Sequence, residues 1–158
     1  MKSESKKNKK SDSYILKRMG YVACKKWAKK FYKKIGIILS PALNNQYVSF
    51  NNIGFTHLIR KMSLRSRNEQ KKRFLLLPKA ETIIKNPKAI IVYKKEEKKI
   101  LIKTRKAKIL KESTIHYWTF VYFTDSKRIK VVIRQVNNGS KHFYSIMDKK
   151  VKKQKTRL

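Results

Sequence analysis

The side chain best suited to chemistry in this sequence is His57. Arg60 and Lys61 follow it by three and four residues, so on a helix the three share one face. Two cations one turn away disfavour the imidazolium, leaving a neutral ring able to accept a proton, as a general base must. Other chemistries are poorly supplied. Nine Asp and Glu residues, scattered along the chain, provide no paired carboxylates and no acidic cluster for a two-metal centre. The four glycines form no phosphate-binding loop. Cys24 is the single cysteine, which rules out an intrachain disulfide and a cysteine-based zinc site. What remains is histidine, cations, hydroxyls and aromatics. That set suits cleavage of RNA by its own 2′-hydroxyl. The substrate brings the nucleophile, a base takes its proton, an acid protonates the leaving 5′-oxygen, and cations stabilise the phosphorane. No metal and no cofactor is expected.

Charge points to the same class of partner. Forty-three Lys and Arg against nine Asp and Glu give a net charge of +34, whereas an ordinary small domain carries roughly 2 to 8 in magnitude. Self-repulsion on this scale destabilises the compact state, so a polyanion is the expected partner. Nucleic acid comes first, then an acidic membrane, then an acidic protein. The opening MKSESKKNKK is not followed by a signal-peptide core, and no apolar run approaches the ~20 residues of a membrane span. The expectation is a protein without a transmembrane segment, cytoplasmic or delivered into the cytoplasm of a target cell.

The elements that must position His57 can be read from periodicity. Residues 113–147 contain three β-branched and aromatic runs separated by Asp125-Ser126-Lys127 and by Asn137-Asn138-Gly139-Ser140. They predict a three-stranded antiparallel meander, with Asn-Gly supplying a positive φ in the second turn. Alternation places Ile115, Tyr117 and Thr119 opposite His116, Trp118 and Phe120, and Phe143, Ser145 and Met147 opposite His142, Tyr144 and Ile146. One face is expected under helices. The other is expected as a partly open aromatic and basic surface for RNA, with Trp118, Lys130 and His142 as substrate-binding candidates.

Upstream, apolar residues at three- and four-residue spacing predict a lysine-rich amphipathic helix over 14–39. Such helices can also bind membranes or helix-binding partners. Residues 47–50 read as a short extended piece, followed by a helix starting near Asn51 or Asn52 that carries His57 and turns Phe55, Leu58, Ile59 and Met62 inward. Residues 63–73 read as a loop or short helix, 78–87 as a short helix stopped by Asn86-Pro87. Residues 89–93 and 100–103 read as paired strands around a charged turn at 94–99. Together these give an α+β class: N-terminal helices packed on a four- to five-stranded antiparallel sheet. The domain spans 14–150, with basic tails at 1–13, expected to be disordered, and 151–158.

On Val48-Ser49-Phe50, His57-Leu58-Ile59-Arg60-Lys61, Ile83-Ile84-Lys85-Asn86-Pro87 and the closing run from Asn138 to Met147, residues 47–147 resemble the barnase–EndoU–colicin–RelE nuclease superfamily. The likeness is to its phage-associated branch and to colicin-D-type tRNA-cleaving toxins. The resemblance implies a metal-independent ribonuclease acting on structured RNA such as tRNA, serving as a toxin or effector and restrained by an immunity or antitoxin protein. It implies His57 as base or acid, Arg60 or Lys61 steadying the phosphate, and Arg134, Tyr144 and Ser145 contributed by the sheet. Tyr144 and Ser145 are strand neighbours, so only one of them can face His57. The charge implies that any inhibitor is acidic. The alternatives are an RNA- or DNA-binding protein without catalysis, and an interaction protein that uses the 14–39 helix.

Overall fold

A computed structural model describes residues 17–59 and 66–151. The tail at 1–13 and all of the 151–158 tail but Val151 lie outside the described residues, as do Arg60, Lys61 and Met62. In chain order the elements are helix α1 (Tyr21–Ile35), strand β1 (Ile37–Ser40), a 3-10 turn (Pro41–Leu43), β2 (Gln46–Ser49), α2 (Asn52–Leu58), α3 (Arg67–Ile84), β3 (Ile90–Lys103), β4 (Lys108–Phe123), β5 (Lys127–Val136) and β6 (His142–Lys150). The strands form one sheet in the order β1-β2-β6-β5-β4-β3. The class is α+β, as expected, but the sheet has six strands and is mixed. The β2–β6 pair is parallel, joined only at Ser49 and His142, and every other pair is antiparallel.

Three elements differ from the sequence reading, each for a physical reason. The first helix, expected over 14–39, is shorter: it runs from Tyr21, with Gly20 at its N-cap, to Ile35. Gly36 adopts φ +62, and Ile37 to Ser40, whose spacing continues the helical pattern, pair antiparallel with β2 instead. The loop and short helix expected around 63–87 are one helix, α3. Ser66 caps it by accepting from the Glu69 backbone N–H at 3.2 Å, the S-x-x-E pattern of a capping box. Pro78 lies inside α3. It forfeits one helical hydrogen bond, but the buried Phe74, Leu77, Ala80 and Ile84 tie both halves of the helix to the same core, and packing outweighs propensity. The charged turn expected at 94–99 is strand. β3 pairs with β4 without interruption from Ile90↔Val121 to Lys103↔Lys108, and the turn lies at residues 104–107. A strand rich in Lys and Glu is tolerated because β3 is the sheet edge, where charge also discourages aggregation.

The core lies between α1, α3 and one sheet face. Cys24, Ala28 and Tyr32 recur every fourth residue along α1 and are buried, meeting Phe74, Leu77 and Ala80 of α3 and Phe120, Val131, Ile133, Phe143 and Ile146 of the sheet. Burial pushes the Cys24 thiol above its ordinary range, so it is a packing residue. The Tyr32 ring stands edge-on to Phe50, Phe55 and Phe143. Its hydroxyl donates to the Asn51 carbonyl at 2.7 Å, which fixes the residue that starts α2.

Candidate active site on the open face of the sheet

The position of His57 follows from how β2 ends. After Ser49 the chain leaves the sheet, and the Asn51 side chain caps α2 by accepting from the Gly54 N–H at 3.3 Å. Helix α2 then lies against β6 in the place a longer β2 would occupy. Close approach is possible because residue 54 is glycine. A Cβ there would overlap the Phe143 carbonyl oxygen and the Tyr32 hydroxyl and would stand 3.1 Å from the Phe143 carbonyl carbon. With Phe55 and Leu58 turned into the core, His57 is carried over the next residue of β6.

That residue, Tyr144, is the extra residue of a β-bulge. Val132 pairs with Ser145 and Ile133 with Phe143, which leaves Tyr144 without a partner on β5. Bulges re-aim side chains, and this one decides between the two strand neighbours. The His57 ring stacks on Tyr144 with centroids 4.1 Å apart. Ser145 is buried and accepts from the Arg73 guanidinium of α3 at 3.1 Å. The bulge also breaks the simple alternation expected along this strand: Ile146 joins Phe143 in the core and Met147 is exposed.

Other side chains on this face close around Tyr144. The Arg134 guanidinium lies 4.9 Å from the Tyr144 ring centre, a cation–π distance. Tyr117 lies opposite Arg134 on β4, 6.1 Å from Tyr144, and His142 lies opposite Arg134 on β6, 6.5 Å from Tyr144. Burial holds the His142 imidazole below its ordinary range, with the Arg134 charge adding to the effect and a backbone hydrogen bond at Ser140 opposing it. Nε2 has no hydrogen-bond partner among the described residues. The buried Nε of Arg134 has no partner there either. At the rim, Glu96 of β3 ion-pairs with Lys94 at 2.7 Å and Lys98 at 2.9 Å. The Glu96 hydrogen bond, followed by the Tyr117 and Tyr144 phenols, holds the Lys98 ammonium above its ordinary value. The result is a small cationic and aromatic basin with one acid, already engaged by two lysines.

No family model, curated protein or solved structure matches this chain.

Of the residues singled out from sequence, His57, Arg134, Tyr144 and His142 come together. Ser145 does not, because it faces Arg73. Arg60 and Lys61 lie outside the described residues. Trp118 lies on the other side of β4, beside Tyr93 and His116, with the Lys141 ammonium 4.6 Å from its ring centre. Lys130 lines a groove with Lys72 and Arg73 of α3, Arg128 of β5 and Asp148 of β6. Tyr117, Glu96 and Lys98 belong to the face although they were not singled out. The alternation that pairs Tyr117 with Ile115 was the available signal for Tyr117. Glu96 and Lys98 were hidden in the supposed turn. Among the described residues no three His, Cys, Asp or Glu gather into a metal-binding group, and no helix is long and apolar enough to cross a membrane.

Proposed function

We propose that this protein is an endoribonuclease that cleaves structured RNA, such as tRNA, by attack of the 2′-hydroxyl on the adjacent phosphate. The observation that carries the reading is the stack of His57 on Tyr144 with Arg134 against the same ring. His57 takes the 2′-proton. Arg134, whose Nε has no hydrogen-bond partner among the described residues, receives the phosphate and stabilises charge as the phosphorane forms. A phenol of the same face, Tyr144 or Tyr117, protonates the leaving 5′-oxygen. The products are a 2′,3′-cyclic phosphate and a 5′-hydroxyl, and the scheme assigns no step to a metal. His142 is a positioning residue: a neutral buried ring beneath Arg134 and Tyr144 that adds no competing charge.

The net charge of +34 supports a polyanionic substrate and an acidic inhibitor of the immunity or antitoxin kind, and an activity on RNA belongs in a cytoplasm, that of this protein's own cell or of a target cell. Co-purification with an acidic protein tests the inhibitor. The activity is tested by incubating the chain and its His57→Ala variant with total cellular RNA in EDTA. Discrete cleavage lost in the variant supports the reading. Binding of RNA by both forms without cleavage overturns it. The second reading, nucleic-acid binding without catalysis, has its own support in the stacked Tyr93, His116 and Trp118 on the opposite face, since such a layer accommodates bases without cutting them.

A further inference from the structure

The β3–β4 hairpin is longer than the sheet it belongs to. β5 supports β4 only as far as Ile115, which pairs with Val136. Beyond that point β3 and β4 continue alone for seven cross-strand pairs, from Glu97↔Thr114 to Lys103↔Lys108. At about 3.4 Å per residue this is a two-stranded ribbon projecting roughly 20 Å. Its root is gripped by the turn after β5. Asn137, at φ +50, accepts from the Thr114 N–H at 2.9 Å and donates its own N–H to the Thr114 carbonyl at 2.7 Å. Its tip is closed by Thr104, whose hydroxyl and N–H both bond the Ala107 carbonyl at 2.8 Å. A ribbon fixed at the root and closed at the tip has a defined direction, and this chain has no described element covering either side of it.

Residues 98–111 contain seven Lys and Arg and no acid, and from Leu101 to Glu112 every residue is exposed. Leu101 sits opposite Leu110 on one side and Ile102 opposite Ile109 on the other, all open to solvent. Alternation places Lys98, Ile100 and Lys111 on the same side as Tyr117. Glu96, on the same side, ion-pairs with Lys98 at 2.9 Å. One surface therefore runs from His57 and Tyr144 out along the ribbon. A second copy of this chain is a poor occupant, since it would bring another net charge of +34 and another run of residues 98–111 without an acid.

We propose that this ribbon is a substrate arm that lies along the double-helical stem of the RNA whose linkage is cut at Tyr144. This deepens, and rests on, the ribonuclease reading. The wide, shallow minor groove of an RNA helix displays riboses and is flanked by phosphates. On the Tyr117 side, Ile102 and Ile109 meet the riboses, and Lys111 with Arg105 and Lys106 of the tip meets the phosphates. The arm explains why a small catalytic face would select folded RNA over unpaired strands.

The test replaces Lys111, on the Tyr117 side, and Arg105 and Lys106 of the tip together by Gln, in a protein that also carries His57→Ala so that the RNA survives. Binding to an RNA stem-loop is measured from about 50 to 200 mM salt. The expected result is at least about a tenfold loss of affinity and a log–log salt slope shallower by about two to three, near 0.9 for each phosphate contact removed, with a smaller change on unpaired RNA of equal length. Parallel salt lines overturn the arm. So does a dimer that Leu101→Glu with Leu110→Glu converts to monomer while RNA affinity stays unchanged, because the ribbon is then a self-association element. The readout needs no cleavage, so the two failures separate. An active enzyme with parallel lines loses the arm alone. An inactive wild-type chain whose slope depends on these cations loses the ribonuclease reading alone. Arg105, Lys106 and Lys111 are exposed, and an unchanged unfolding transition shows that the fold is intact.

Discussion

Gly54→Ala tests the mechanical link between α2 and the catalytic face. In an exposed helix interior the change would stabilise by about 1 kcal/mol, because alanine is the better helix former. Here the sign should reverse. The new Cβ would overlap the Phe143 carbonyl oxygen and the Tyr32 hydroxyl. One of these is backbone in the middle of the sheet, and the other is a buried phenol whose hydrogen bond to Asn51 holds the start of the same helix. Overpacking of this kind costs about 1 to 3 kcal/mol, and losing the phenol hydrogen bond costs about 1 kcal/mol more. Set against the propensity gain, the net loss is about 1 to 3 kcal/mol. The helix relieves the overlap by moving off β6, which takes His57 away from Tyr144. A displacement near 1 Å lowers a positioned reaction by about 100-fold. Denaturant titration and an RNA cleavage assay on the same preparation read both effects. A variant as stable as wild type with full cleavage would refute the account of how His57 is placed.

Ser145→Ala should cost about 0.5 to 1.5 kcal/mol through the lost Arg73 hydrogen bond and leave cleavage unchanged. A 100-fold loss of activity without instability would return Ser145 to the site. Arg134→Gln should lower cleavage by about 10² to 10³, the usual cost of one donor to a charged transition state, and equal rates would remove its phosphate role. His142 gives a pH signature. Its folded value lies below the ordinary 6.5, so between the two values the unfolded chain binds the extra proton. Stability is then full above pH 6.5 and falls as the pH drops towards the folded value, with a slope of at most about 1.4 kcal/mol per pH unit. His142→Asn should flatten that part of the profile, and an identical profile in the variant would refute the assignment.

The legible parts of this chain were those where one residue type repeats one pattern. The 113–147 meander announces itself by β-branched and aromatic runs between polar turns, and Asn51 announces α2 by its capping chemistry. The union of His57, Arg134 and Tyr144 followed from a resemblance and from one open sheet face. What stayed hidden depended on choices between nearly equal local structures. Ile37 to Leu39 fit a helix or a strand, and only pairing with β2 decides. Pro78 reads as a helix start, yet burial on both sides keeps it inside α3. The charged residues from Lys94 to Lys99 read as a turn because an edge strand needs few apolar residues. The bulge at Tyr144 has no local signature, since it arises from the register between β5 and β6. The turn after β5 took its positive φ at Asn137 and not at Gly139, because the Asn137 side chain was needed to hold Thr114.

The most direct measurement uses an RNA whose cleaved linkage has been mapped, compared with the same RNA lacking only the 2′-hydroxyl at that linkage, both in EDTA. The account predicts that the intact RNA is cut to a 2′,3′-cyclic phosphate and a 5′-hydroxyl, that the deoxy RNA stays whole, and that His57→Ala cuts neither. Cleavage of the deoxy linkage, or wild-type cleavage by His57→Ala, would contradict it.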